Sequence, residues 1–92
     1  MPAWFYILRL KSANLYVGST TDLEKRYEDH RSGRGCRTTK YDSPVAIVFS
    51  EQFASFSEAR RREAQVKRWS RAKKEALVSG DLTTLQKLAK PK

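Results

Sequence analysis

With a single cysteine, Cys36, the chain has no intramolecular disulfide and no cysteine metal cluster. No apolar run approaches the roughly 18–20 residues needed to span a bilayer. The first residues lack the basic segment and apolar stretch of a secretory signal. A membrane-surface role would need a basic amphipathic helix with a wide apolar face or a lipidation motif, and neither is present. A cytoplasmic protein without a membrane partner is therefore expected. There is no internal repeat and no low-complexity tract. Acidic residues are also scarce, 10 against 19 lysines and arginines, for a formal charge of +9 and a pI of about 10.1. In a soluble domain such an excess points to a polyanion, with nucleic acid the first candidate.

What is present fits one small domain. The 92 residues are 39% hydrophobic, enough for one core. Residues 4–10 are aromatic and apolar on both faces, which predicts a strand covered on both sides. A polar turn at 11–14 returns the chain into a second strand over 15–19. Alternation there puts Tyr16 and Gly18 on one face, Leu15 and Val17 on the other. Thr21-Asp22-Leu23-Glu24 reads as a capping box with Thr21 as the cap, opening a helix over about 22–32. Leu23 and Tyr27 form its apolar stripe, and Arg26 and His30 share one edge of it. A basic, glycine-punctuated loop is expected over 33–40. Val45–Phe49 reads as the clearest buried strand, preceded by Pro44. Ser55 opens a helix over about 56–69, with Phe56, Ala59 and Val66 as its apolar stripe. Ser70 caps a helix over 71–79 that Gly80 closes, and Asp81 caps a last short helix to about 89, followed by a basic tail. The expected architecture is α+β, with a three-stranded, mostly antiparallel sheet flanked by helices. The domain spans 1–80, and the short helix and tail occupy 81–92.

Glu63 is the most informative polar residue. It falls inside the apolar stripe of the 56–69 helix, between Ala59 and Val66. A carboxylate there needs a cation, a hydrogen-bond network or an open cleft. Two readings follow: an ion pair with an arginine such as Arg26, or a ligand for a hard divalent ion such as Mg²⁺. No second carboxylate obviously converges with it, which favours one metal over two.

Tyr6 and Tyr16 lie on neighbouring strands and can face one cleft, although each also suits simple packing. A phenol of pKa near 10 is ionised about one part in a thousand at neutral pH. Its use as a base therefore requires roughly 4 kcal/mol from neighbouring cations, or coupling to a metal-bound water. Arg26 is suited to stabilising charge on a phosphorane. His30, one helical turn on, is suited to sharing a proton or holding a phosphate. Gly18 marks a place where a substrate backbone approaches closely. Arg34, Arg37 and Lys40, with Thr39 beside them, are the expected phosphate contacts on the loop. Arg61 and Arg68 lie opposite the apolar stripe and read as solvated.

The ordered set Phe5-Tyr6-Ile7, Tyr16-Val17-Gly18, Arg26, His30 and Glu63 resembles the GIY-YIG nuclease superfamily, over residues 4 to about 78. It is most similar to its small single-domain bacterial members of the excision-nuclease C N-terminal type. The most specific segment is the run from Tyr16 to Arg26. Two departures stand out: Trp4 occupies the place of the family's first-motif glycine, and the only asparagine is Asn14, in the hairpin. The resemblance implies metal-dependent hydrolysis of DNA phosphodiester bonds with one Mg²⁺ or Mn²⁺, and it does not exclude RNA. Tyr6 and Tyr16 would match the motif tyrosines, with Tyr16 as general base. Arg26 would match the catalytic arginine, His30 the helix histidine and Glu63 the metal ligand. DNA repair is the implied setting. The alternatives are a non-catalytic nucleic-acid-binding module, or a nuclease subunit targeted by a protein scaffold.

Overall fold

The computed structural model describes residues 1–80, so the expected helix from Asp81 and the basic tail lie outside the described residues. The sheet holds β1 (Ala3–Leu10), β2 (Leu15–Thr20) and β3 (Pro44–Phe53) in the order β2-β1-β3. Both pairings are antiparallel. The helices are α1 (Leu23–Arg31), α2 (Arg37–Tyr41), α3 (Phe56–Lys67) and α4 (Arg71–Ser79).

β1 is the central strand, and its side chains feed two cores. Phe5 and Ile7 pack with Val17, Val66 and Leu77 on one face. Tyr6, Leu8 and Leu10 pack with Tyr16, Leu23, Tyr27 and Ile47 on the other. Thus α3 and α4 cover the first face and α1 the second. Fully burying each large apolar side chain contributes about 1.5–3 kcal/mol, so a sheet filled from both sides suits a chain this short. Arg9 grips Glu75 in a two-pronged pair at 2.6 and 2.7 Å, tying α4 to the central strand.

Several expectations change. The N-cap of α1 is Asp22, not Thr21: its carboxylate accepts from Lys25 N–H at 3.1 Å, three residues on. The expected loop over 33–40 contains α2, a single turn whose cap residue, Cys36, makes no side-chain capping bond. β3 runs to Phe53 and is an edge strand whose side chains are mostly half-buried or exposed. Its apolar run suggested the most buried strand, but that place belongs to β1. Phe56 lies outside the core and is 40% exposed. The caps Ser55, Ser70 and Gly80 stand where expected, with Gly80 in the left-handed conformation that glycine tolerates.

Candidate active site

Alternation along β2 sends Tyr16 and Gly18 toward α1. There the Tyr6 ring lies directly over Gly18, and a Cβ on Gly18 would overlap the Tyr6 hydroxyl. Gly18 thus makes room for the phenol, which corrects its expected role as a point of substrate approach. The Tyr6 hydroxyl lies 2.9 Å from His30 Nε2, inside the domain. Tyr16 meets the same imidazole edge-on, with ring centroids 5.0 Å apart.

His30 is completely enclosed. Its Nδ1 lies 2.8 Å from Thr39 Oγ1, and Thr39 is buried on α2. Thr39 was expected to contact DNA from the loop; its burial instead makes it a partner of the histidine. A Cβ on Gly35 would overlap the His30 ring, so the loop glycine lets the backbone close over it. Burial, then the positive charge of Arg26, lowers the His30 pKa from 6.5 to about 4, while Asp29 acts in the opposite sense. His30 is therefore neutral at physiological pH and offers one N–H and one lone pair. The Thr39 hydroxyl proton goes to Cys36, whose carbonyl and sulfur lie 3.4 and 3.5 Å away, leaving its oxygen to accept from His30 Nδ1–H. With that assignment Nε2 is the acceptor and Tyr6 donates its phenolic proton to it.

Burial raises the pKa of Tyr6, and the Arg26 guanidinium counteracts it. Burial, reinforced by the neighbouring Cys36 sulfur, pushes Tyr16 up further. Burial would also raise the Cys36 thiol, but hydrogen bonds from Thr39 and Tyr16 outweigh it and hold the thiol below its ordinary value. Cys36 had no expected role, and nothing in its sequence neighbourhood marks it as part of this network. Arg26 donates from Nη2 to the Gly35 carbonyl at 3.2 Å, which steadies its head beside the phenols.

Glu63 approaches from the other side of β2. Its Oε1 accepts from the Ser19 hydroxyl at 2.5 Å, and Ser19 shares the α3-facing side with Val17. Its Oε2 pairs with Lys67 at 2.8 Å. The expected alternative partner, Arg26, is not its ion-pair partner. β2 is an edge strand, and across it the Glu63 charge acts to raise the Tyr6 pKa. A cleft of about 380 Å³ opens there, lined by Ser19, Thr20, Thr21, Arg26 and Phe56. Trp4 lines a separate cleft with the first turn of α1, so its bulk stays out of this one.

Among the described residues no three His, Cys, Asp or Glu side chains gather as a metal cage. A single, partly exposed carboxylate beside a hydroxyl still suits Mg²⁺, which takes one or two carboxylates and keeps several waters. The Lys67 side chain is 56% exposed and long enough to yield its place. Of the expected loop contacts, Arg34, Arg37 and Lys40 are exposed. Arg34 lies 3.7 Å from Asp29, and the Lys40 ammonium sits over the Tyr41 ring.

Two tyrosines, an arginine and a histidine thus gather on one face of β2, with a glutamate on the other side of that edge strand. A model of the GIY-YIG catalytic domain matches residues 2–76, and the chain belongs to that nuclease family. It is 42% identical over 76 residues to the UPF0213 protein of Staphylococcus saprophyticus, covering 83% of this chain and 93% of that one. The solution NMR structure of the UPF0213 protein from Bacillus halodurans is 39% identical, covers 99% of this chain and 100% of its own, and superposes with a TM-score of 0.56. A second NMR structure, of a protein from E. faecalis, is 30% identical over 90% of this chain and 88% of its own, with a TM-score of 0.59. These neighbours share the α+β fold. No helix among the described residues is long and apolar enough to cross a membrane.

Proposed function

We propose that this domain is a divalent-metal-dependent endonuclease that hydrolyses DNA phosphodiester bonds. The observation that carries the reading is the enclosed Tyr6 phenol. It bonds to a neutral histidine at 2.9 Å, with the Arg26 guanidinium and the Glu63 carboxylate both acting on it. A binding module has no use for a buried phenol–imidazole pair whose phenol lies against the same Arg26 that lines the cleft.

In this reading Glu63, with Ser19 beside it, holds one Mg²⁺ or Mn²⁺, which supplies charge neutralisation at the scissile phosphate. Arg26 faces the phosphate from the opposite lip and stabilises charge developing on its oxygens. Tyr6 accepts a proton from the attacking water as its own passes to His30 Nε2, so no free phenolate accumulates. Tyr16 packs against His30 and closes the polar network. Exposed Arg34, Arg37 and Lys40 hold the flanking backbone. DNA is the substrate we favour, with cytoplasmic DNA repair as its setting and a protein scaffold as a source of targeting.

The Ser19 and Lys67 contacts already satisfy Glu63 without a metal, and this favours a second reading as a non-catalytic DNA-binding module. The two separate on one assay: the purified protein with Mg²⁺ or Mn²⁺ on single-stranded, flap, branched and nicked DNA. The nuclease reading expects cleavage that Glu63→Ala abolishes while DNA affinity stays level or improves. Equal cleavage by the variant refutes the metal-ligand role, and binding without cleavage by the unaltered protein supports the module.

A further inference from the structure

Phe56 is a large aromatic that the core does not take, placed at the lip of the Ser19–Arg26 cleft. Four residues per step along α3, Phe56 is followed by Arg60, Ala64 and Arg68. An i, i+4 row of this kind forms a surface ridge that drifts about 40° per step. The Arg68 cap residue keeps helical backbone angles, so the row continues through it. The ridge is about 18 Å long and turns through about 120°. It ends at a second cleft of about 480 Å³, lined by Arg61, Ala64, Gln65, Arg68 and Trp69.

The charges along it are uncompensated. Arg62, Lys67 and Arg71 have carboxylate partners in Glu51, Glu63 and Glu75. Among the described residues Arg60, Arg61 and Arg68 have none within 4.0 Å. Arg60 rests on the Phe56 ring, whereas Arg61 and Arg68 have neither a carboxylate nor a ring against them. Ala64 leaves a notch between those two. Trp69 is half-buried, with the Lys73 ammonium 4.1 Å and the Arg62 guanidinium 5.2 Å from its ring centroid, so the indole is firmly held at the cleft wall.

We propose that this ridge is a second nucleic-acid site, carrying the backbone of an unpaired strand from the catalytic cleft to the Trp69 cleft. Cations between two aromatic side chains suit a single strand, whose phosphates pair with arginine and whose bases stack. The row shifts about 120° in azimuth round the helix over some 18 Å, which a single strand follows more readily than a duplex with a persistence length of about 150 base pairs. The proposal rests on the nuclease reading for direction, because it takes the strand as continuous with the one in the Arg26 cleft.

The test uses the full chain without divalent metal and measures anisotropy of labelled DNA, either a duplex with an unpaired overhang or the same duplex blunt-ended. Arg61→Glu/Arg68→Glu is expected to weaken overhang binding at least tenfold and blunt binding less than threefold, with an unchanged melting temperature. The salt slope for the overhang should become shallower by about 1.4, for two lost single-strand phosphate contacts. In a Trp4→Phe background, overhang DNA should quench Trp69 fluorescence and blunt DNA should not. Unchanged overhang affinity, equal losses on both DNAs, or an unquenched Trp69 overturns the proposal. Failure of the nuclease reading looks different: overhang DNA is bound through Arg61 and Arg68, yet no bond is cut when metal is added.

Discussion

Thr39 Oγ1 stands 2.8 Å from His30 Nδ1, and both side chains are enclosed by the fold. This contact links the short helix α2 to the phenol of Tyr6, because the tautomer of His30 decides which way the Tyr6 proton points. Thr39→Val keeps the shape but removes the acceptor for Nδ1–H. It should cost about 1–3 kcal/mol of stability, the usual penalty for a buried polar group left without its partner. Cleavage should fall by more than tenfold with little change in DNA affinity, and Thr39→Ser should restore both. A Thr39→Val protein that cleaves normally would reduce this contact to packing.

The depressed pKa of His30 has a definite consequence in acid. Below pH 6.5 the unfolded chain takes up a proton at this position, while the folded protein refuses it until about pH 4. The unfolded state therefore binds more protons in that window. The stability contributed by keeping His30 neutral is complete above pH 6.5, and it declines as pH falls toward 4. Thermal melts across this range should show a decline that His30→Gln flattens. An unaltered slope in the variant would mean that carboxylates alone set the acid sensitivity.

The Tyr6 ring over Gly18 makes a second local requirement. Gly18→Ala places a methyl group where the phenol now lies, and relief requires either the ring or β2 to move. Overpacking of this kind costs about 1–3 kcal/mol. The melting temperature should drop, and cleavage should drop further than stability explains, because the hydroxyl leaves His30. A crystal structure of the variant with the Tyr6–His30 contact intact would contradict this account.

Much of the fold was legible because its cues are local. Ser55, Ser70 and Gly80 announce helix ends through their own capping chemistry, and alternation assigned the faces of β2. Asp22 displaced Thr21 as a cap because two adjacent residues were both competent, and only backbone direction chooses between them. Strand order was not legible. The apolar run of β3 reads as the clearest buried strand, yet β3 is an edge and β1 takes the centre; Glu63 meets Ser19 on the α3 face of β2, opposite Tyr16. α2 was missed because Arg37-Thr38-Thr39-Lys40 has weak helical preference; Thr39 docks the turn onto His30. Tyr6, Tyr16, Arg26 and His30 were picked out by polar groups at apolar or shared-edge positions, and the fold does bring them together. The Cys36 and Thr39 contacts depend on loop closure, which no local pattern encodes.

The two tyrosines are not equivalent, and this separates their expected effects on rate. The family resemblance implied Tyr16 as general base. In the folded protein Tyr16 is driven well above its ordinary pKa by burial and by the Cys36 sulfur, a neighbour that opposes ionisation. Tyr6 is also raised, by burial and by the Glu63 and Cys36 charges, but a hydrogen bond from the Arg26 guanidinium works against that shift and a histidine lone pair can receive its proton. Passing a proton along a hydrogen bond avoids the roughly 4 kcal/mol of forming a free phenolate at neutral pH. Tyr6→Phe should therefore reduce the single-turnover cleavage rate at least tenfold more than Tyr16→Phe, with binding unchanged in both. Rate–pH profiles add a second check. The unaltered enzyme should stay flat through pH 6.5, where an exposed histidine would titrate, because His30 remains neutral down to about pH 4. A larger loss in Tyr16→Phe would return the base to Tyr16, and equal losses of rate and affinity in either variant would mark that phenol as packing.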